Sequence, residues 1–272
     1  MEIKLVTDEK IAETSSKGNQ EKWFEKENGK WYKVDRMGYE AFSETVISRL
    51  LEYSNIKVGT PFTFVNYDIE RVKVHSHERN ACASDNFLKR GQSIVTVSHL
   101  LKQSVSKEYM RKLKNLSSDK KRIEYLAETV KEITSLKNFP EYLALLFEID
   151  ALFVNDDRHL NNIAVIEENG EFSYCPVFDN GAGLLSDIFD FPMDIAPLGL
   201  LKAVKSRPFN MSFNRQKNIV TELYGQQLDV KKFNRKAIVD ITCDLLEFYP
   251  ERDRGIILDR VTETILYRQK YW

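Results

Sequence analysis

The sequence is poor in cysteine and has no long apolar run, and these absences exclude several classes of protein. Its three cysteines, Cys82, Cys175 and Cys243, lie far apart and none belongs to a C-x-x-C pair. A disulfide framework or a zinc site is therefore not expected, and reduced thiols are the simpler interpretation. Nowhere do about 18 apolar residues run uninterrupted, as a membrane-spanning helix requires. The first twenty residues also lack the apolar core of a signal peptide, so we expect a cytoplasmic protein without a membrane partner.

A strong charge of either sign is missing too. Lysine and arginine number 40 and acidic residues 41, which gives a formal net charge of -1. This balance provides no global field that would attract nucleic acid, although basic clusters such as "DKKRIEYL" and "LKAVKSRPF" could make local contacts. Direct nucleic-acid binding is not expected. Internal repeats and low-complexity tracts are also missing.

The pattern along the chain predicts an α+β fold with two lobes. A chain of 272 residues with 42% hydrophobic residues can build one large core or two modest ones, since cores tend to split at about 250–300 residues. The first hundred residues favour strands wrapped around one helix, and from about Val97 the pattern becomes helical. We therefore expect a small β-rich lobe over residues 1–97 and a larger helical lobe over residues 98–272.

Two Asn-Gly turns and one amphipathic helix place the polar residues on this frame. "EKWFEKENGKWYKVD" has aromatic-rich segments around Asn28-Gly29, a signal for a two-residue hairpin that puts Lys33 on the second strand. "YEAFSETVISRLLEY" follows as a helix with Glu40 and Glu44 on one face. Later, the helix "PEYLALLFEIDALFV" precedes the strands "NIAVI" and "FSYCPVF", which "EENGE" joins.

The stretch between that helix and the second strand carries the strongest chemical signal. Asp157 precedes Asn162 by five positions, the D-x-x-x-x-N spacing of a protein-kinase catalytic loop, and "FDNG" supplies Asp179 after the hairpin. In kinases the loop aspartate receives the proton of the attacking hydroxyl and the asparagine helps to hold magnesium. Magnesium takes one or two carboxylates together with phosphate oxygens, so Asn162 and Asp179 are chemically adequate ligands.

Ordinary structural roles are the alternative for each of these residues taken separately. Asp156, Asp157 and Asn162 could cap a helix or bind turn amides, as such residues often do. His159 could be a catalytic base, but a histidine that packs in the loop and holds its backbone is favoured. Arg158 could be a structural ion-pair partner. The structural interpretation weakens when the residues are considered together.

Two upstream features could hold a triphosphate. "TSSKGNQEK", from Thr14 to Lys22, is rich in small and polar residues whose amides and hydroxyls can approach phosphate oxygens. It matches neither a Walker A sequence nor a G-x-G-x-x-G loop, so a plain surface turn is equally expected. Lys33 followed by Glu40 or Glu44 has the parts of the kinase lysine–glutamate pair. Taken alone, Lys33 is more often a solvated strand residue.

The segments "NDDRHLNN", "FDNG", "KGNQEK", "KWYKVD" and "GYEAFSETVISRLL" together resemble the HipA-like serine/threonine kinases, bacterial kinases best known from toxin–antitoxin modules. The resemblance spans about residues 14 to 185. The chain is much shorter than a full-length HipA protein and resembles the compact members that have a single kinase domain. The resemblance therefore implies a two-lobed, protein-kinase-like fold with ATP in the cleft between the lobes.

The resemblance also implies roles for particular residues. Asp157 would be the catalytic base, Asn162 and Asp179 the magnesium ligands, and Lys33 a contact to the ATP phosphates with Glu44 as its partner. Glu40 stays open as the alternative partner, because it lies on the same helical face. The candidate ATP-binding loop comprises Ser15, Ser16, Lys17, Gly18, Asn19 and Gln20. Its two serines are also candidate autophosphorylation sites.

We therefore expect an ATP- and Mg²⁺-dependent kinase of the HipA toxin type that phosphorylates a Ser or Thr hydroxyl of a protein, including its own. Two alternatives stay open, a small-molecule or lipid kinase and a nucleotide-binding pseudokinase regulator, because a fold does not determine a substrate. A protein substrate and an antitoxin are the implied partners, and neither can be identified from the sequence. Arg207, beside a proline, would suit a substrate groove, although helix packing is favoured there.

Overall fold

The structure of the chain is a computed structural model that describes residues 4–6, 20–105 and 108–272. Within these ranges the strands are β1 (Lys4–Val6), β2 (Lys22–Glu25), β3 (Lys30–Val34), β4 (Asp68–Val74), β5 (His77–Asp85), β6 (Ser93–Thr96), β7 (Ala164–Glu168) and β8 (Glu171–Tyr174). The helices are α1 (Glu40–Leu51), α2 (Ile56–Gly59), α3 (Val97–Ser104), α4 (Tyr109–Asn115), α5 (Asp119–Thr134), α6 (Phe139–Phe153), α7 (Pro197–Leu200), α8 (Phe213–Tyr224), α9 (Arg235–Thr242) and α10 (Glu251–Arg268). Two 3₁₀ helices, Cys243–Phe248 and Gln269–Tyr271, flank α10.

A five-stranded sheet forms the first lobe, with the order β1-β4-β5-β3-β2. β1 pairs with β4 in parallel, and the other pairs are antiparallel. Tyr32 and Val34 on β3 are buried on one face, where the Tyr32 ring stacks on Trp23 with 5.2 Å between ring centroids. Because side chains alternate along a strand, Lys33 lies on the opposite face, which is the face toward the cleft.

The two Asn-Gly sequences form different turns. Asn169 and Gly170 both have positive φ, at 53° and 86°, and join β7 to β8 as the predicted two-residue turn. Between β2 and β3 the loop has four residues, 26–29, and only Gly29 has positive φ there. The side chain of Asn28 explains the difference, because it accepts the Lys30 N–H at 3.0 Å and donates to the Tyr32 hydroxyl at 2.9 Å.

Helix α1 packs against the first sheet and is buried over most of its length. Its N-terminus is held by carboxylates, since Asp35 accepts the N–H of Ala41 at 2.6 Å and Glu40 accepts the N–H of Met37 at 2.6 Å. Acceptors at a helix N-terminus satisfy amides that have no partner within the helix. α1 is therefore fixed in rotation, with Glu44 directed toward Lys33.

The second lobe is built around helix α6, which is buried along its whole length and packs against α5, α8 and α10. It ends at Val154, whose φ of 58° lies in the left-handed region that a β-branched residue rarely adopts. The chain then turns toward the cleft before it enters β7, the central strand of the antiparallel sheet β6-β7-β8. This small sheet places the loop after α6 and the segment after β8 side by side.

A 3₁₀ helix near the C-terminus contacts the first lobe again. Arg49 on α1 binds Asp244 with both terminal nitrogens, at 2.8 and 2.9 Å, and Asn80 on β5 donates to the Phe248 carbonyl at 3.1 Å. The hydroxyl of Tyr249 donates to Asp35 at 2.7 Å. These contacts, with the chain itself, join the two lobes.

The predicted small β-rich lobe and larger helical lobe are present, and helix α3 begins at Val97 as expected. The division of the chain at residue 97 stays a prediction, and β6 just before it pairs with β7 of the second lobe. In the ranges that the structure describes, no helix has the length and apolarity needed to cross a membrane.

The buried carboxyl of Asp35 predicts a pH-dependent stability. Burial, with Glu40 nearby, raises the pKa of Asp35 to about 7 from its ordinary value of 3.8. The folded protein thus keeps a proton that the unfolded chain releases, so this contribution to stability is complete below about pH 3.8 and is lost as the pH rises to about 7. Relative to Asp35→Asn, which does not titrate, the wild type should lose about 2–3 kcal/mol between about pH 5 and about pH 8 in urea unfolding. A constant difference across that range would contradict the prediction, and Asp229→Asn at an exposed site controls for loss of a carboxylate.

Candidate active site

A cleft of about 860 Å³ lies between the two lobes and collects the predicted site residues. The first lobe contributes Gln20, Lys22, Lys33, Arg36 and Glu40, and the second contributes Asp156, Asp157, His159, Asn161, Asn162, Asp179, Asp187, Asp190 and Arg207. A cleft of this size is in the range of small-molecule and cofactor sites.

Lys33 lies between two carboxylates at the base of the cleft. Its ammonium is hydrogen-bonded to Asp179 and lies 3.8 Å from the Glu44 carboxylate, which is buried. Burial alone would lower the pKa of Lys33, but the charges of Asp179 and Glu44 raise it well above its usual range. The lysine is therefore a fixed positive charge from a strand of the first lobe.

Glu44 connects helix α1 to the segment that carries Asp179. Its other carboxylate oxygen accepts the N–H of Asn180 at 2.7 Å. Gly181 follows, and a Cβ on this glycine would lie 3.0 Å from the Glu44 carboxylate, so the close approach requires glycine. The alternative partner, Glu40, instead binds backbone amides before its own helix, including Gly38 at 3.1 Å. The structure thus pairs Lys33 with Glu44.

The loop after α6 presents Asp157 to the cleft. The Asp157 N–H donates to the side chain of Asn155 at 3.2 Å, and the side-chain amide of Asn162 donates to the Asp157 carbonyl at 2.9 Å. The backbone is thereby folded so that the Asp157 carboxylate is exposed in the cleft, with 55% of the side chain accessible. Burial and the charge of Asp179 raise the pKa of Asp157, although His159, Arg207 and Lys33 oppose this effect.

Arg158 anchors this loop from its buried side. Its fully buried guanidinium binds the Asp150 carboxylate on α6 at 3.0–3.1 Å. The same group donates to the carbonyls of Asn162 at 3.2 Å and Phe178 at 2.8 Å and to the side chain of Asn180 at 2.5 Å. Its role is the structural ion pair that was the simpler interpretation of the sequence.

Asp179 occupies the left-handed region, with a φ of 60°. Its carbonyl accepts a hydrogen bond from Asn155 at 3.4 Å, so the loop and this segment are directly joined. Burial raises the pKa of Asp179, but Lys33, Arg158 and Lys22 outweigh that effect and hold the pKa below its usual range. The carboxylate is ionised at neutral pH.

His159 braces the loop, as the sequence pattern favoured, and its ring Nδ1 accepts the Asn161 N–H at 3.3 Å. Its backbone does brace the loop, because its N–H donates to the Asp157 carbonyl and its carbonyl accepts from Asn162, each at 2.8 Å. The ring, however, lines the cleft with 39% of the side chain exposed, and its Nε2 lies 3.7 Å from the Asp157 carboxylate. His159 therefore faces the candidate base.

Most of the predicted ATP-binding loop, Ser15, Ser16, Lys17, Gly18 and Asn19, lies outside the described residues. Gln20 is described, and its side-chain amide donates to the Val34 carbonyl at 2.7 Å while it lines the cleft. Gln20 therefore lies at the cleft beside the end of β3.

Lys22 is a cleft residue to which the sequence alone assigned no site role, and Arg207, where helix packing was favoured over a substrate groove, also lines the cleft. Lys22 lies directly opposite Lys33 in the β2–β3 pair and is half-buried. Burial lowers the pKa of Lys22, and the negative charge of Asp179 opposes this effect. The predicted two-residue turn at Asn28-Gly29 would have paired Lys33 with Phe24, so the sequence pattern could not identify Lys22. Arg207 comes from the loop before α8, where its carbonyl accepts from buried Gln216 at 3.1 Å.

Comparison with solved structures identifies the architecture. The kinase CtkA of Helicobacter pylori, described as proinflammatory, matches 94% of this chain and 92% of its own length, with a TM-score of 0.61 and 16% sequence identity. The chain has a kinase fold. The predicted two-lobed, kinase-like α+β fold is therefore confirmed, and at this identity the likeness speaks for the fold alone.

A second match is a structure from Shewanella oneidensis that contains the toxin HipA with HipB and operator DNA. It has a TM-score of 0.48 and 15% identity and covers 95% of this chain and 65% of the matched chain. The present chain therefore spans less than two thirds of that protein. No family model and no curated protein matches the sequence.

The donors in this kinase fold suit a magnesium ion bound together with phosphate. Across the described ranges no group of three or more His, Cys, Asp or Glu side chains could hold a metal alone. Magnesium on a nucleotide does not require such a group, since one or two protein oxygens and phosphate oxygens suffice. Asn162 and Asp179 present an amide oxygen and an ionised carboxylate to the cleft.

Replacing Arg158 should destabilise the folded protein strongly, although its buried guanidinium does not face the cleft. Arg158→Met leaves the buried Asp150 carboxylate without its partner, so we expect a loss of about 3–5 kcal/mol in the free energy of unfolding. The double variant Arg158→Met with Asp150→Leu removes both charges and should recover part of that loss. Urea denaturation of both variants checks this, and a loss below about 1 kcal/mol in the single variant would refute it.

Proposed function

We propose that this chain is an ATP- and Mg²⁺-dependent kinase that transfers the γ-phosphoryl group to a Ser or Thr hydroxyl of a protein. The single observation that carries the proposal is the arrangement in one cleft of Lys33 between Glu44 and Asp179, with Asp157 and Asn162 on the adjacent loop. These are the parts that phosphoryl transfer needs, because it is catalysed mainly by positioning and by neutralising charge.

Lys33 would bind the phosphates, and Glu44 would hold the lysine in place. The buried Glu44 is itself anchored by Asn180, so the ammonium keeps a defined direction. Lys22, on the neighbouring strand, would supply a second positive charge. Within the described residues no carboxylate lies within ion-pair distance of the Lys22 ammonium, which leaves it able to bind an anion.

Asp157 would receive the proton of the attacking hydroxyl. Its carboxylate is exposed in the cleft while its backbone is fixed by Asn155 and Asn162, which supports this role because a base must be accessible to the hydroxyl it deprotonates. His159, 3.7 Å away, would orient that carboxylate. Asn162 and Asp179 would hold a magnesium ion, which would neutralise charge on the phosphates.

The proposal also covers the molecule that accepts the phosphoryl group and the protein partners of the chain. A protein acceptor accords with the open cleft mouth, where Asp187, Asp190 and Arg207 lie at the surface. An antitoxin partner and phosphorylation of Ser15 or Ser16 stay predictions from the sequence resemblance.

Replacing the candidate base tests the proposed function directly. Asp157→Asn removes the proton acceptor but keeps the shape of the side chain, so transfer of label from γ-labelled ATP to protein should fall at least about a hundredfold with little change in stability. The measurement is label in the protein fraction of the purified chain and of a cell extract, with the organic-soluble fraction counted separately.

Asp85→Asn, at an exposed position at the end of β5, is the matched control. Undiminished transfer by Asp157→Asn would remove Asp157 from the role of base. Label that appears in the organic-soluble fraction would favour the small-molecule or lipid kinase, and ATP binding without any turnover would favour the pseudokinase regulator.

Lys22 provides a prediction about nucleotide binding alone. Lys22→Met should weaken ATP and ADP binding about tenfold and leave adenosine binding unchanged, since an ammonium stabilises phosphate oxygens and not the nucleoside. Calorimetric titration measures all three ligands. Lys30→Met is the control, because Lys30 is on the paired strand and binds Glu70 instead of lining the cleft. Equal losses for adenosine and ATP would show that Lys22 acts on the fold.

A further inference from the structure

An exposed aromatic residue stands at the mouth of the cleft. Residues 187–190, which we call the rim segment, form part of the cleft wall through Asp187 and Asp190. Between them, Phe189 is 71% exposed. Phe189 therefore offers an apolar ring to a ligand beside two carboxylates of the cleft wall.

The rim segment is rigid in spite of its exposure. The carboxylate of Asp187 accepts the N–H groups of Phe189 at 2.9 Å and Asp190 at 3.2 Å, and the N–H of Ile188 donates to the Met37 carbonyl at 3.0 Å. An exposed aromatic on such a turn loses little conformational entropy when it binds a partner.

Helix α10 holds the next part of the chain. Arg260, which is buried, donates to the carbonyls of Phe191 at 2.7 Å and Pro192 at 3.0 Å. The N–H of Phe191 also donates to the Asp187 carbonyl at 2.9 Å. The position of Phe189 is therefore set from both sides of the rim segment.

The charges around the rim segment favour a positive ligand. Asp190 is exposed, and Asp156 lies across the cleft mouth beside Asp157. Among the described residues, the side chain of Asp190 has no hydrogen-bond or ion-pair partner, and that of Asp156 is hydrogen-bonded only to its own backbone N–H. Burial and the neighbouring charges of Asp157 and Asp190 raise the pKa of Asp156 to about 7, so at neutral pH Asp156 carries only part of a negative charge. Asp190 supplies the exposed carboxylate of the rim segment.

We propose, on the basis of the proposed kinase function, that the rim segment selects a polypeptide acceptor with a lysine or arginine close to the phosphorylated hydroxyl. The alkyl part of that side chain packs on the Phe189 ring, and its charge pairs with Asp190. Basic side chains suit such a place because they have an apolar stem and a cationic end that is attracted to an aromatic face.

The same charges disfavour the other acceptors. An acidic peptide, or a lipid head group that already carries phosphate, would bring negative charge toward Asp156 and Asp190. Like charges brought together in this way suppress the wrong partner. The rim segment therefore distinguishes between acceptors by charge as well as by shape.

A peptide array tests the selection. Each peptide has one Ser or Thr flanked at successive positions by Arg, Glu or Ala, and the measured quantity is the ratio of labelling rates for the Arg and Glu peptides at the best position. For the wild type we expect a ratio of about ten or more, which falls when the salt concentration is raised. Asp190→Lys should reverse the preference toward Glu, and Phe189→Ala should lower the ratio at least about threefold.

Matched controls come from the same part of the chain. Asp194→Lys introduces the same charge at another exposed aspartate that does not line the cleft, and Ile195→Ala truncates another exposed apolar residue. Both should keep the wild-type ratio, and Phe189→Tyr should keep it because the aromatic face is retained.

Two results would overturn the proposal while leaving the kinase function intact. One is a wild-type enzyme that labels Arg and Glu peptides equally or prefers Glu, and the other is an Asp194→Lys variant that shifts the ratio as much as Asp190→Lys. If the wild type labels no peptide, not itself and no protein of a cell extract, the proposed kinase function fails, and the proposed selection fails with it.

Discussion

The candidate site depends on one buried ion pair. Arg158 and Asp150 are fully buried, and the guanidinium also binds backbone or side-chain oxygens of the loop after α6 and of the segment around Asp179. Burial raises the pKa of Asp150 to about 6 even though Arg158 opposes it, which shows how strongly the site is desolvated. Such a pair contributes little net stability compared with apolar packing, but its geometry is specific. Here that specificity holds two separate segments side by side, so the residues they expose face one another.

The order of the key residues could be predicted from the sequence because each lies in a short segment with its own local signal. Lys33 follows a hairpin, Glu44 lies on an amphipathic helix, and Asp157 and Asn162 share one loop with a known spacing. The structure places them in one cleft, and the kinase fold explains how segments so distant in sequence converge. The role of Asp157 as base stays a prediction that the geometry supports.

Other features depended on contacts that a sequence pattern does not contain. The choice between Glu40 and Glu44 is decided by the backbone amides of residues 36–38, which occupy Glu40. Lys22 becomes part of the cleft only through the register of β2 against β3, and Arg207 only through the path of the chain before α8. The four-residue turn after β2 likewise follows from side-chain hydrogen bonds of Asn28 that compete with the two-residue alternative.

The contacts of the 3₁₀ helix Cys243–Phe248, and of Tyr249 directly after it, have a consequence for how a nucleotide would enter and leave the cleft. Kinase lobes that are joined by a single connection can rotate about that hinge and open the cleft widely. In this chain Asp244, Phe248 and Tyr249 hold α1 and the first sheet from the side of the second lobe. Wide rotation would break these bonds together, so exchange of product for substrate is better served by small displacements at the cleft edge than by swinging one lobe away from the other.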